Sequence, residues 1–236
     1  MRRLAALLLF LLLSAPAQAG DFATRDIIGF SPDGGAFAFE EYGVQDGSGF
    51  AYSNIYVIDT MADEWLPGTP FRVSIEDETA ELSAARAESD AAARGLILQL
   101  DIAKRGEHVA SNPVTELSAD PFRVVFNPRS VVPPIDAPVT LTLEQYPLPG
   151  PDDCAGLGQT SGFALTLESG GRERVLHRDT RLPQSRVCPT SYRIGDVVIY
   201  FPDAGQPVIA VLVLMETVGF EGPDGRWLAV TGHLPD

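Results

Sequence analysis

Glu40, Glu41 and Asp46 stand beside Tyr42, Phe50 and Tyr52 in "GFSPDGGAFAFEEYGVQDGSGFAYSNIYVIDT", residues 29–60. Carboxylates next to aromatic rings suit a ligand that is stacked and hydrogen-bonded at once, such as a sugar or a basic peptide. Tyr56 and Trp65 follow closely and extend the aromatic cluster. The same rings on a strand also make ordinary core. "DGSG" at Asp46–Gly49, near the two glutamates, offers hard oxygens for calcium. The spaced acidic loop that would supply six to eight ligands is missing, so no cofactor is expected. On a strand, Glu40 and Glu41 point to opposite faces and cannot work as one carboxylate pair.

Other reactive chemistry is thin. His108, His177 and His233 are scattered, with no metal-ligand spacing around them. No nucleophile elbow and no phosphate-cradling glycine loop occurs. The expectation is a non-catalytic binding module. Alternatives are a hydrolase acting on cell-envelope polymers, whose carboxylates can lie far apart in sequence, and a structural or interaction protein of the envelope.

The start of the chain says where this chemistry takes place. Arg2 and Arg3 precede the apolar run "LAALLLFLLL", and "SAPAQAG" follows with a small-x-small pattern. That reads as a signal peptide over residues 1–19, cut after Ala19, and predicts a periplasmic or secreted protein. Ten apolar residues rise only about 15 Å as a helix, too little for a bilayer. "VIAVLVLM", Val208 to Met215, reads as a buried strand, so no membrane span is expected in the mature chain. Cleavage leaves 15 basic against 32 acidic residues, a formal −17. Such a chain gains no counterion release from nucleic acid, so the expected partner is an envelope ligand or protein. In an exported chain Cys154 and Cys188 read as a disulfide, worth about 3–4 kcal/mol in the chain-entropy account.

The elements that must hold these residues are mostly strands. Short β-branched or alternating runs stand at 55–58, 96–102 ("LILQLDI"), 122–126, 139–143, 163–167, 197–201, 208–215 and 227–230. One helix is expected at about 78–94, rich in Ala, Glu and Arg and closed by Gly95; with little apolar surface, it should lie outside the sheet. "PDGGAFAF" at 32–39 and "PDGRWLAV" at 223–230 share a pattern that reads as two hairpin turns, and "FPDAG" at 201–205 as a third. The fold class is therefore mainly β: an antiparallel β-sandwich or a partial β-propeller-like domain with one surface α-helix. Residues 20–236 form a single domain in this reading.

"FSPDGGAFAFEEYGVQDGSGFAYSNIYVIDT", "WLPGTPFRV" at 65–73 and "GFEGPDGRW" at 219–227 together resemble the predicted secreted proteins grouped as domain of unknown function 2259. The resemblance runs from about Gly29 to the C-terminus. It implies an exported bacterial protein and supplies no activity.

Overall fold

A computed structural model describes residues 20–151 and 154–235. The expected leader at residues 1–19 lies outside them. Thirteen strands and one long helix follow in this order: β1 Thr24–Phe30, β2 Ala36–Val44, β3 Ala51–Asp59, β4 Glu64–Trp65, β5 Phe71–Ile75, α1 Leu82–Gln99, β6 Glu107–Ser111, β7 Arg123–Phe126, β8 Val139–Pro147, β9 Ser161–Ser169, β10 Arg172–Arg178, β11 Pro189–Tyr200, β12 Val208–Val218 and β13 Pro223–His233.

The strands form three sheets. The first runs β1-β2-β3, with β4 and β5 both on the far side of β3; the second runs β13-β12-β11-β6; the third runs β10-β9-β8-β7. Every paired strand is antiparallel. The sheets stack face to face, so the sandwich alternative holds over the propeller.

The second sheet is the middle layer. Ile209, Val211, Val213 and Met215 pack against Leu141, Leu143, Phe163 and Leu165 of the third sheet. The alternate residues Val208, Ala210, Leu212 and Leu214 pack against Phe30, Phe37, Phe39 and Tyr56 of the first. A strand buried on both faces loses the apolar–polar alternation of a half-exposed one, which is why β12 reads as an unbroken apolar run.

The helix covers the outer face of the first sheet but begins later than the sequence suggests. Asp77 accepts hydrogen bonds from the Thr79 N–H at 2.9 Å and hydroxyl at 2.7 Å, which turns the chain locally. Helical geometry starts only after Glu81. Gly95 lies inside α1 instead of ending it, and most of "LILQLDI" is the last turn of this helix, not a strand. Leu96, Ile97 and Leu100 pack on Ala36, Ala38, Val57 and Ile102. Leu96, Leu98, Leu100 and Ile102 alternate as a strand would, but Leu96, Ile97 and Leu100 share a helix face and Leu98 is exposed, so the tertiary contact decides. Buried Ala85, Ser89 and Ala93, four residues apart, let the helix sit close to the sheet.

Two expected turns hold and one does not. Asp33 accepts from the Ser31 hydroxyl and the Gly35 N–H while Gly34 takes φ +76°, closing the β1–β2 turn. "FPDAG" forms the β11–β12 turn, with Gly205 at φ +107°. "PDG" at 223–225 already belongs to β13; the turn before it is closed by the Gly219 N–H donating to the Gly222 carbonyl. Asp224 accepts from the Asp21 N–H instead of from its own turn.

Cys154 and Cys188 are joined in a disulfide, with Cα atoms 5.5 Å apart. It ties the β8–β9 loop to the segment that leads into β11. Among the described residues, no helix is long and apolar enough to cross a membrane.

Candidate functional site

β13 is the outer strand of the middle sheet, and its free edge forms the floor of a cleft between the first and third sheets. In an antiparallel ladder every second residue turns its N–H and C=O away from the neighbouring strand. On β13 these are Gly225, Trp227, Ala229 and Thr231. The Gly225 N–H donates to the Asp21 carbonyl at 2.8 Å, the Trp227 N–H to Glu41 Oε2 at 2.8 Å, and the Thr231 N–H to Asp63 Oδ1 at 2.7 Å. Ala229 lies in the gap. Among the described residues, none accepts its N–H.

Glu41 is held there by alternation in β2. It is 2 % exposed and also accepts from the Tyr56 hydroxyl at 2.7 Å and the Asn54 amide at 3.1 Å. Burial and the adjacent Glu41 carboxylate push the Tyr56 phenol well above its ordinary pKa, so it stays a donor. The Trp227 indole donates to the Ala23 carbonyl at 2.7 Å. Its ring lies over β11 because residue 195 is glycine; a Cβ there would overlap the ring.

Asp63 reaches β13 from the β3–β4 turn. The Asp59 carboxylate accepts the Met61 and Ala62 N–H groups, which fixes that turn and leaves Asp63 at φ +54°. Asp63 Oδ2 then faces His177 Nδ1 of β10 at 3.4 Å. His177 Nε2 pairs with Asp179 at 3.0 Å, and the ring stacks on Phe163 with centroids 4.7 Å apart. Asp179 also accepts from the Arg186 guanidinium at 2.6 Å and the Phe163 N–H at 2.9 Å. Burial disfavours the imidazolium, but the hydrogen bonds to Asp179 and Asp63 outweigh it, and the His177 pKa rises. Burial likewise opposes an ionised Asp179, yet His177, the Phe163 N–H and Arg186 hold its pKa below the usual range. One chain of polar contacts thus links all three sheets at the Thr231 end of the cleft.

The cleft encloses about 620 Å³. Tyr56, Trp65 and Arg72 line its first-sheet wall; Phe163, Pro183 and Val187 line the opposite one. Trp65 is 40 % exposed. The Arg72 guanidinium lies 5.3 Å from its ring centre, and the Tyr56 ring 5.7 Å from it. Aromatic walls with a few fixed polar groups are the usual make-up of a ligand pocket.

The six residues singled out from sequence do not converge. Glu41 lies on the cleft floor. Glu40 points to the other face of the sheet, where Arg86 donates to it at 2.7 and 3.0 Å. Tyr42 is on that same outer face, half-buried, with the Arg86 guanidinium 3.7 Å from its ring centre. Tyr52 is buried and donates to Asp21 at 3.2 Å. Asp46 accepts the Glu221 N–H at 3.0 Å at the far turn, and Phe50 is half-buried beside Ser48. Asp63, Arg72, Arg186 and Ala229 carry no signal in the sequence. His177, one of the three scattered histidines, has one only in Asp179, two residues on along an extended chain.

A family model described as "Predicted secreted protein (DUF2259)" matches residues 38–233. No curated protein and no solved structure matches the chain.

Proposed function

The chain belongs to the DUF2259 family of predicted secreted proteins, and on that premise we propose that it works outside the cytoplasm as a non-catalytic binding module whose ligand site is the cleft along β13. In this reading residues 1–19 are removed on export, residues 20–236 act as one domain in the periplasm or beyond it, and the partner is an envelope ligand or protein. The acidic balance of the chain disfavours nucleic acid.

The observation that carries the proposal is Trp65. A tryptophan left 40 % exposed at the mouth of a cleft whose floor is fixed by paired side chains is a platform ready for a ligand. His177, Asp179 and Arg186 are occupied with one another, which favours a rigid wall over a reacting group. Turn 45–50, although glycine-rich and acidic, does not line this cleft.

The test is calorimetric binding and thermal stability of the exported protein against sugars, peptidoglycan fragments, short peptides and calcium. A ligand present at 100 times its Kd adds about 2.7 kcal/mol to stability. Trp65→Ala should weaken any affinity found by at least tenfold, and the Tyr42→Ala, Asp46→Ala pair should leave it unchanged. The opposite pattern would move the site to the β2–β3 turn.

A further inference from the structure

The free edge of β13 narrows the class of ligand. We propose that the cleft takes a short extended peptide with an acidic group, which adds one rung to the middle sheet at Ala229 and meets Arg72 with its acid. This rests on the cleft being the ligand site and goes further in naming what fills it.

Strand addition to a sheet edge needs an N–H and a C=O of one residue directed outward and unpaired. Ala229 supplies both, and it is only partly buried. The N–H groups on either side of it are already taken: Glu41 accepts from Trp227 and Asp63 accepts from Thr231. Each carboxylate stands where a neighbouring strand would place a carbonyl. These caps protect an edge that would otherwise pair at random and leave one rung open, within a gap of about 13 Å between residues 227 and 231. The gap fits about four residues, and about 620 Å³ is an ordinary volume for so small a ligand.

The walls suit an extended chain as well. Side chains of a strand alternate between two sides. A peptide laid along β13 would send one set towards Tyr56, Trp65 and Arg72 and the other towards Phe163, Pro183 and Val187. Arg72 is exposed, lies against the Trp65 ring and neighbours the Tyr56 hydroxyl. Its fork of donors matches a carboxylate. A sugar could stack on Trp65 but would not need the backbone pair at Ala229.

The probe is a library of N-acetylated tetrapeptides with free C-terminal carboxylates, screened on the exported protein and followed by calorimetry on the best binders. Those binders should lose at least tenfold in affinity when one central amide is N-methylated, and a similar amount on Ala229→Pro. That N–H does not bond to β12, so the substitution removes no ladder bond and a strand edge accommodates it; an unchanged melting temperature checks this, and the N-methylated peptide tests the same rung on the unaltered protein. Arg72→Gln should erase any preference for the acid over the matching C-terminal amide. Three results would overturn the peptide assignment. Tetrapeptides could bind equally well after N-methylation. None could bind at all. A sugar could bind through Trp65 with no response to Ala229→Pro. In the last case the cleft would remain the ligand site and only its occupant would change, whereas binding untouched by Trp65→Ala would remove the cleft itself.

Discussion

Glu40 and Glu41 are neighbours in sequence, of one residue type, on one strand, yet they serve opposite faces of the first sheet. On the outer face Glu40 meets Arg86 of the helix and the Ser53 hydroxyl, which in turn pairs with Ser89. On the inner face Glu41 meets only neutral donors: a phenol, an amide and the Trp227 backbone N–H. The outer carboxylate fastens a covering helix. The inner one caps a strand edge and floors a cleft. The contrast shows how a one-residue step along a strand exchanges a fastening for a site, because the pleat decides which layer a side chain addresses.

The largest effect should come from a bond that belongs to neither face but holds the cleft's third-sheet wall. Replacing both Cys154 and Cys188 by serine should cost about 4 kcal/mol, as expected for opening a loop of this length. The loss is readable as a lower urea midpoint, and protection of amides in α1 against exchange should fall no more than the global stability does. Next, Glu41→Ala leaves the Tyr56 hydroxyl, the Asn54 amide and the Trp227 N–H without their acceptor inside the protein. It should cost about 3 kcal/mol in urea unfolding, and Glu41→Gln, which keeps an acceptor, clearly less. Glu40→Ala should cost only about 1 kcal/mol, since Arg86 keeps Asp26 at 2.6 Å and Ser53 keeps Ser89 at 2.6 Å. Equal costs for the two glutamates would break the comparison.

The smallest effect is a slope with pH. His177 binds its proton more tightly in the folded state, so its contribution is complete below its ordinary pKa of 6.5 and fades as pH rises through the raised folded value. Asp179 works the other way: its contribution is complete above its ordinary 3.8 and is lost as pH falls through the depressed value. The His177–Asp179 link is therefore strongest between these two limits. Unfolding followed from about pH 6 to 8 should show a decline that His177→Gln flattens. An unchanged slope in that variant would mean the imidazole is not held by the two carboxylates.

Much of the fold was legible because its elements obey local rules. Val139–Pro147 alternates as a half-buried strand does, and β12 is apolar from Val208 to Met215 because both its faces are covered. The cysteine pair stood out by number and by the expected leader before it. The helix lies later than its sequence suggests, because the Asp77–Thr79 turn delays its start and the alternation of Leu96, Leu98, Leu100 and Ile102 imitates a strand. The opposed directions of Glu40 and Glu41 followed from period two alone. The cleft did not, because its walls and floor come from β3, β4, β5, β9 and β13, which are spread between residues 51 and 233, and its open rung belongs to an alanine. No residue type marks an unpaired backbone N–H; only the register of β12 with β13 and the reach of Glu41 and Asp63 reveal it.

Amide hydrogen exchange, read residue by residue on the unliganded protein, tests that rung most directly. Ala229 should exchange at least a hundredfold faster than Trp227 and Thr231, whose N–H groups donate to Glu41 and Asp63. Protection of Ala229 equal to that of its two neighbours would contradict an open edge on β13.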